Sequence, residues 1–239
     1  MKTQTIFSSL ILVGTIMGSC AQKSPYNNAD FNISKAEITR NAELGVTIWQ
    51  IVVEGNAGKT VPQANGQLDG APVLGYVFPT NLNSTDVGFN ETEGIVALAL
   101  TSHPDFDDTP LWDENNDAIF DNDGVVWHPH WVILTNDNRV PGGLSVKQFK
   151  KADDTVVLPP TNPGMPMYMD SPGYPVKTLG NVIKVVVPDY RINNKTQFNY
   201  DGVTAFMSVN TSEENKPMLG VYEVFSVASG NLSLPYTVK

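Results

Sequence analysis

The 239-residue sequence has few basic residues, one cysteine and only one long apolar segment. It carries 15 Lys and Arg against 25 Asp and Glu, which gives a formal net charge of −10 at pH 7. Proteins that bind nucleic acid neutralise phosphates with clustered Lys and Arg, and anionic lipid attracts basic surfaces, so neither partner is expected. The single cysteine, Cys20, excludes an internal disulfide and a metal site rich in thiolates.

The apolar segment lies at the N-terminus and is typical of a secretory signal. Lys2 precedes an apolar run at residues 6–17, which is too short to span a bilayer comfortably. The sequence Met-Gly-Ser-Cys at residues 17–20 resembles the bacterial lipobox, a family that usually has Leu where this chain has Met17. The resemblance implies cleavage before Cys20 and attachment of lipid to that cysteine.

These features predict three parts of the chain. Residues 1–19 form a lipoprotein signal peptide, residues 20–30 a lipidated tether, and residues 31–239 a β-rich globular domain on the periplasmic face or outer surface of a bacterial cell envelope. The lipid is then the only expected membrane contact. The alternative is an ordinary secretory signal that is cleaved nearby, with Cys20 incidental.

The remaining sequence indicates an all-β fold. Its 19 glycines and 17 prolines are more than a helix bundle tolerates. Short runs rich in Val, Ile and aromatic residues, most of them bounded by turn residues, predict about eight strands and hence a single-domain β-sandwich or Greek-key barrel. These runs are Gly45–Val53, Val73–Phe78, Gly94–Thr101, Val125–Thr135, Gly143–Lys150, Val182–Val187, Gly202–Val209 and Leu219–Val227. A helix is predicted at Ser34–Ala42, and the six prolines of Thr155–Val176 predict an irregular segment.

All three histidines of the chain lie within 28 residues. His128 and His130 begin the apolar run of residues 127–134, and side chains two residues apart on a strand share a face. His103 follows the preceding predicted strand. If the two strands form an antiparallel hairpin, the three imidazoles meet at one rim, where they are suitable ligands for Zn²⁺, Cu²⁺ or Fe²⁺. The alternative is that two of the histidines merely flank Pro129 on an edge strand.

The predicted loop between these two strands is strongly acidic. Eight of the 25 acidic residues fall within residues 103–124, and no basic residue occurs between positions 59 and 139. Solvent or a bound cation must relieve the self-repulsion of such a block. Asp105, Asp107 and Asp108 come directly after His103 and offer oxygen ligands. Of these we select Asp105 and Asp107 as further metal ligands or as partners that orient an imidazole.

The same loop contains a pattern that suggests calcium. Asp121-Asn-Asp123-Gly resembles the centre of a calcium-binding loop, in which oxygen ligands alternate before a glycine. With Asp117, these residues are candidate ligands of a structural Ca²⁺. The full EF-hand spacing is absent, because His128 stands where the closing Glu would be, and Asp-Gly is also a common turn.

Three methionines form a further candidate site. Met165, Met167 and Met169 alternate along the chain, so in an extended segment their thioethers share a face, and such soft ligands select Cu(I). The alternative is that they form the buried face of a strand.

The sequence contains no Gly-x-Ser-x-Gly, Walker, Gly-x-Gly-x-x-Gly or His-Glu-x-x-His motif, and it indicates neither a catalytic residue nor a protein partner. We therefore expect an extracytoplasmic, lipid-anchored protein with a three-histidine transition-metal site at a strand rim beside an acidic loop. Two alternatives remain open. One is a metal-dependent hydrolase or lyase that uses the same residues, and the other is a surface adhesion or glycan-binding β-sandwich without a metal.

Overall fold

The structure, a computed structural model, describes residues 24–239 and is built almost entirely of antiparallel strands. Cys20 and the predicted signal peptide lie outside the described residues. The strands are β1 (Ile33–Asn41), β2 (Val46–Val53), β3 (Pro72–Pro79), β4 (Ile95–Ser102), β5 (His128–Asn136), β6 (Leu144–Val146), β7 (Met169–Asp170), β8 (Val176–Leu179), β9 (Val182–Pro188), β10 (Asn199–Tyr200), β11 (Val203–Val209), β12 (Leu219–Val227) and β13 (Tyr236–Thr237). Short 3₁₀ turns occur at Ala29–Phe31, Ser84–Val87 and Asp189–Ile192. In this part of the chain, no helix has the length and apolarity needed to cross a bilayer.

Six of the strands close into a barrel. They follow the order β4-β3-β11-β12-β6-β5, and pairing of β4 with β5 completes the circle. The short strand β7 also pairs with β5. A separate four-stranded sheet has the order β1-β2-β9-β8, and β10 pairs with β13. The all-β prediction is therefore confirmed.

Two apolar cores follow from the alternation of side chains along the barrel strands. On β5, Trp131 and Ile133 point out of the barrel and pack with Trp49 of the four-stranded sheet. Val132 and Leu134 point into the barrel, whose interior is filled mainly by Val, Ala and Met side chains. The barrel thus has an apolar interior and an apolar outer face against the second sheet.

Each of the eight predicted strand regions contains a strand, although β6 covers only three of the eight residues predicted for it. The predicted helix at Ser34–Ala42 is wrong. This segment belongs to β1, which pairs with β2 along its length and buries Ala36 and Ile38 while Glu37 between them stays partly exposed. Pairing with a neighbouring strand and this two-residue alternation outweigh the weak local preference for helix.

Trp49 of the four-stranded sheet contacts Trp131 of the barrel. Trp49 is completely buried, stacks edge-to-face on Trp131 with ring centroids 5.6 Å apart, and donates its indole N–H to Thr47. Trp49→Ala is expected to lower the free energy of unfolding by about 3–5 kcal/mol. Urea denaturation followed by far-UV circular dichroism measures this change. Leu44→Ala is the control, because Leu44 is 70% exposed and its loss should cost less than about 0.5 kcal/mol. Equal effects of the two substitutions would contradict the packing described.

Candidate metal centre

The three histidines meet at one end of the barrel. Strands β4 and β5 form the antiparallel hairpin that the sequence predicts, with Thr101 opposite His128 and Ala99 opposite His130. His103 continues the inward-facing series of β4 just beyond its end, and its backbone N–H donates to the carbonyl of Gly124 at 2.7 Å. The hairpin therefore places all three imidazoles on the inner face of the barrel rim.

A carboxylate that the sequence analysis did not select completes the group. Oδ1 of Asp108 lies 3.1 Å from Nε2 of His103, 3.2 Å from Nε2 of His128 and 3.3 Å from Nε2 of His130. Nε2 of His103 and Nε2 of His128 are 3.0 Å apart. All four residues are buried, and no two of the four ligand atoms are more than 4.8 Å apart. We call these four residues the histidine–aspartate cluster.

The other ring nitrogen of each histidine has a fixed partner. Nδ1 of His103 lies 3.0 Å from the carbonyl oxygen of Phe106, and Nδ1 of His128 lies 2.6 Å from that of Val126. A carbonyl only accepts, so both Nδ1 atoms are assigned as N–H donors. Nε2 of each neutral ring then carries a lone pair directed at the centre of the cluster.

Ser171 assigns the same tautomer to His130. The hydroxyl of Ser171 donates its single hydrogen to the backbone carbonyl of Asp108 at 2.6 Å. Its oxygen, 3.1 Å from Nδ1 of His130, is thus left to accept from the imidazole. One serine therefore orients a histidine and the residue that supplies the carboxylate facing it.

The charge state of Asp108 depends on protonation of the neighbouring rings. Burial by itself raises the pKa of this carboxyl, whereas protonated imidazoles of His103, His130 and His128 beside it hold the pKa well below its usual range. With neutral imidazoles in the assigned tautomers that stabilisation is absent, and a carboxylate oxygen and three nitrogen lone pairs face one another in a buried space. Consistent with this, neither Oδ1 of Asp108 nor Nε2 of His130 has a hydrogen-bond donor.

Close packing holds the loop that supplies His103 and Asp108 against the cluster. The ring of Phe106 stacks on His103 with centroids 3.9 Å apart and planes 6° from parallel. Gly124 lies against this turn so closely that a Cβ there would overlap the carbonyl oxygens of Phe106 and His103. Only glycine permits the approach that closes the loop over the cluster.

Asp105 and Asp107, the acids predicted as ligands, bind backbone amides in this structure. The carboxylate of Asp105 accepts from the N–H groups of Asn65 and Gly66 at 2.9 and 2.6 Å. That of Asp107 accepts from the N–H of Thr109 and the N–H of Asp123, both at 2.7 Å. The structure thus brings Asp108, and not these two residues, to the histidines.

The three residues predicted to bind calcium occupy different environments. Asp117 and Asp121 are exposed, and the carboxylate of Asp117 accepts from the N–H of Ile119 at 2.8 Å. Asp123 is completely buried beneath the loop. Within residues 24–239, the histidine–aspartate cluster is the one group of three or more His, Asp or Glu side chains close enough to share an ion.

The predicted methionine face lies beside the cluster. Met169 is on β7 and pairs with Val132 of β5, which brings the alternating methionines next to the barrel rim. Met165, Met167 and Met169, together with Met218, line a cavity of about 20 Å³ whose wall also includes His103, Asp108 and His130. The thioethers are therefore neighbours of the histidine–aspartate cluster.

No family model matches the chain, and no significant match was found among curated proteins or solved structures.

The orienting role of Ser171 is testable by substitution. Ser171→Ala removes the acceptor of His130 Nδ1–H and the donor to the Asp108 carbonyl, and loss of such an outer partner typically weakens a metal site roughly 10–100-fold. Ser145→Ala is the matched control, because Ser145 is a buried serine of the same barrel that bonds to Asp137. Competitive titration of zinc against a chromophoric chelator measures the zinc affinity of both variants. An unchanged affinity in Ser171→Ala would contradict the assigned role.

Proposed function

We propose that this protein is a lipid-anchored metal-binding protein of the bacterial cell envelope, and that the histidine–aspartate cluster holds one divalent transition-metal ion. Zinc is the first candidate. The metal proposal rests on the histidine–aspartate cluster and the envelope proposal on the N-terminal sequence, so the two can be tested separately.

The observation that carries the metal proposal is the convergence of four acceptor atoms, of which Oδ1 of Asp108 and Nε2 of His130 have no donor. The Thr101 hydroxyl, 3.2 Å from Nε2 of His128, is an outside donor to the set. Oδ1 of Asp108 lies 3.1–3.3 Å from all three imidazole nitrogens, and acceptors this close repel one another unless a cation or added protons lie between them. Burying such a set without compensation costs several kcal/mol, since each group has lost its water. A metal ion satisfies all four atoms at once.

The spacing of the four atoms supports zinc. A tetrahedral zinc ion about 2.0–2.1 Å from its nitrogen and oxygen ligands separates those ligands by about 3.3–3.4 Å. The three distances from Oδ1 of Asp108 to the nitrogens and the one between Nε2 of His103 and Nε2 of His128, 3.0–3.3 Å, are within a few tenths of an ångström of this edge. All the ligand atoms lie within 4.8 Å of one another. Histidines that bind a metal usually donate the N–H of their other ring nitrogen to an oxygen, as all three histidines do here.

Copper is the second candidate, and the methionines favour it. Thioether sulfur is a soft ligand that selects Cu(I), and four methionines line the cavity that borders His103, Asp108 and His130. Imidazole also suits copper. If the purified protein contains copper, Met165→Leu and Met218→Leu should weaken Cu(I) binding without changing the zinc affinity of the histidine–aspartate cluster.

The closed character of the cluster supports binding rather than catalysis. Catalytic zinc sites keep one coordination position for water or substrate, whereas structural sites use four protein ligands. Here four protein ligands are available and all are buried. An ion at this position links the loop, through His103 and Asp108, to β5, through His128 and His130. The hydrolase or lyase alternative requires one of these ligands to leave the ion.

Elemental analysis of the mature protein, purified without chelator, tests the site. We expect about one equivalent of zinc or copper. His128→Ala should lose it because a ligand is removed from the closed set. Asp108→Asn should weaken binding by at least roughly 100-fold, since loss of an outer partner alone costs up to that factor.

Asp105→Asn is the matched control, because Asp105 is an acid of the same loop whose carboxylate accepts backbone amides away from the cluster. It should retain the metal. Loss of metal from Asp105→Asn with retention in Asp108→Asn would reverse the assignment. A wild-type protein without transition metal would reject the site and leave the adhesion or glycan-binding alternative.

The envelope address has its own test. Cys20 is the predicted lipidation site, so the wild-type chain should incorporate labelled palmitate and sediment with membranes, whereas Cys20→Ala should do neither. The substitution leaves the histidine–aspartate cluster untouched, and its metal content should be unchanged. Membrane association of unlabelled Cys20→Ala would reject the lipid anchor and leave the metal proposal standing.

A further inference from the structure

A second group of acids lies under the loop, beside the histidine–aspartate cluster but separate from it. Asp107 and Asp123 are linked directly, because Oδ2 of Asp107 accepts from the backbone N–H of Asp123 at 2.7 Å. Asp123 is linked in turn to Glu114, whose backbone N–H donates to Oδ2 of Asp123 at 2.8 Å. The hydroxyl oxygen of Thr109 lies 2.9 Å from Oδ1 of Asp107 and 3.2 Å from Oε2 of Glu114, and its single hydrogen is donated to one of the two. These bonds connect the three acidic residues through backbone amides and one hydroxyl.

Two oxygens of this group have no donor. Asp123 is 0% exposed, and its Oδ1 has no hydrogen-bond partner. Oε1 of Glu114 is likewise buried and without a partner. A buried carboxylate oxygen without a donor or cation is costly, so each of these two oxygens needs a partner.

No basic side chain serves the group. The sequence has no Lys or Arg between positions 59 and 139, and none of the ion pairs formed within residues 24–239 involves Asp107, Glu114 or Asp123. Burial, together with the negative charges of Asp123 and Asp107, raises the pKa of Glu114 to about 7. Glu114 is therefore about half protonated at neutral pH, and a divalent cation would compete with that proton for the carboxylate.

We propose that Asp123 and Glu114 bind a hard divalent cation, Ca²⁺, at a second site under the acidic loop. Oδ1 of Asp123 and Oε1 of Glu114 supply the two protein carboxylate ligands, and Asp107 adds negative charge while its own oxygens hold the loop backbone. Backbone carbonyls and water complete the six to eight oxygens that Ca²⁺ takes. This set of ligands contains no nitrogen or sulfur, so it prefers a different kind of metal ion from the histidine–aspartate cluster.

This site differs from the calcium pattern visible in the sequence. That pattern selects Asp117, Asp121 and Asp123, of which the first two are exposed. Only Asp123 is shared, and its buried partner is Glu114. The site also goes beyond the transition-metal proposal, because it does not use any ligand of the histidine–aspartate cluster.

Isothermal titration calorimetry, in which Ca²⁺ is added to the protein as purified, tests this proposal. We expect one site in the wild type, and a fall in affinity of at least about tenfold in both Asp123→Asn and Glu114→Gln. Each substitution keeps the shape of the side chain and removes one ligand charge, the property that sets calcium affinity. Asp121→Asn is the matched control, because Asp121 is an exposed acid of the same loop, and it should bind within about threefold of the wild type.

Far-UV circular dichroism and transition-metal content are measured on the same samples. If Asp123→Asn does not fold, the half-buried Glu114→Gln decides the question alone. Absence of Ca²⁺ binding by the wild type at millimolar concentration overturns the proposal, as does a loss confined to Asp121→Asn. If the wild type contains zinc or copper but does not bind Ca²⁺, only this second site is rejected. If it binds Ca²⁺ but contains no transition metal, only the metal site at the histidine–aspartate cluster is rejected.

Discussion

Four acceptor atoms, three of them imidazole nitrogens and one a carboxylate oxygen, face one another at one end of an apolar barrel. The strands and the loop around them are arranged to make this meeting possible. β5 directs His128 and His130 inward, β4 delivers His103 to the same rim, and the loop folds back to bring in Asp108. Because the four residues are buried, a cation stabilises this arrangement far more than it would at a surface.

The histidine part of the site could be predicted from the sequence because strands impose a two-residue period. His128 and His130 had to share a face, and Trp131 between Val132 and His130 had to point the other way, towards the second sheet. The carboxylate could not be chosen in the same way. Asp105, Asp107 and Asp108 lie in a loop, where no period fixes direction, and their roles are decided by which backbone amides each carboxylate meets.

The same limits apply to the fold. The strand runs were visible because their apolar alternation is strong, whereas β1 is polar enough that its pairing with β2 decides its conformation. Closure of six strands into a barrel depends on β4 meeting β5, a contact between neighbours that also forms the site. The methionine face could be read from its spacing, but its position beside the histidines depends on β7 pairing with β5. Fold and site therefore rest on the same strand pairs.

The most direct test of metal binding at the histidine–aspartate cluster is anomalous X-ray scattering from crystals of the mature protein. Data are recorded above and below the absorption edge of the metal that the protein contains. We expect one anomalous peak about 2.0–2.2 Å from Nε2 of His103, His128 and His130 and from Oδ1 of Asp108. A peak on the exposed acidic residues of the loop, or no peak within the barrel rim, would contradict it.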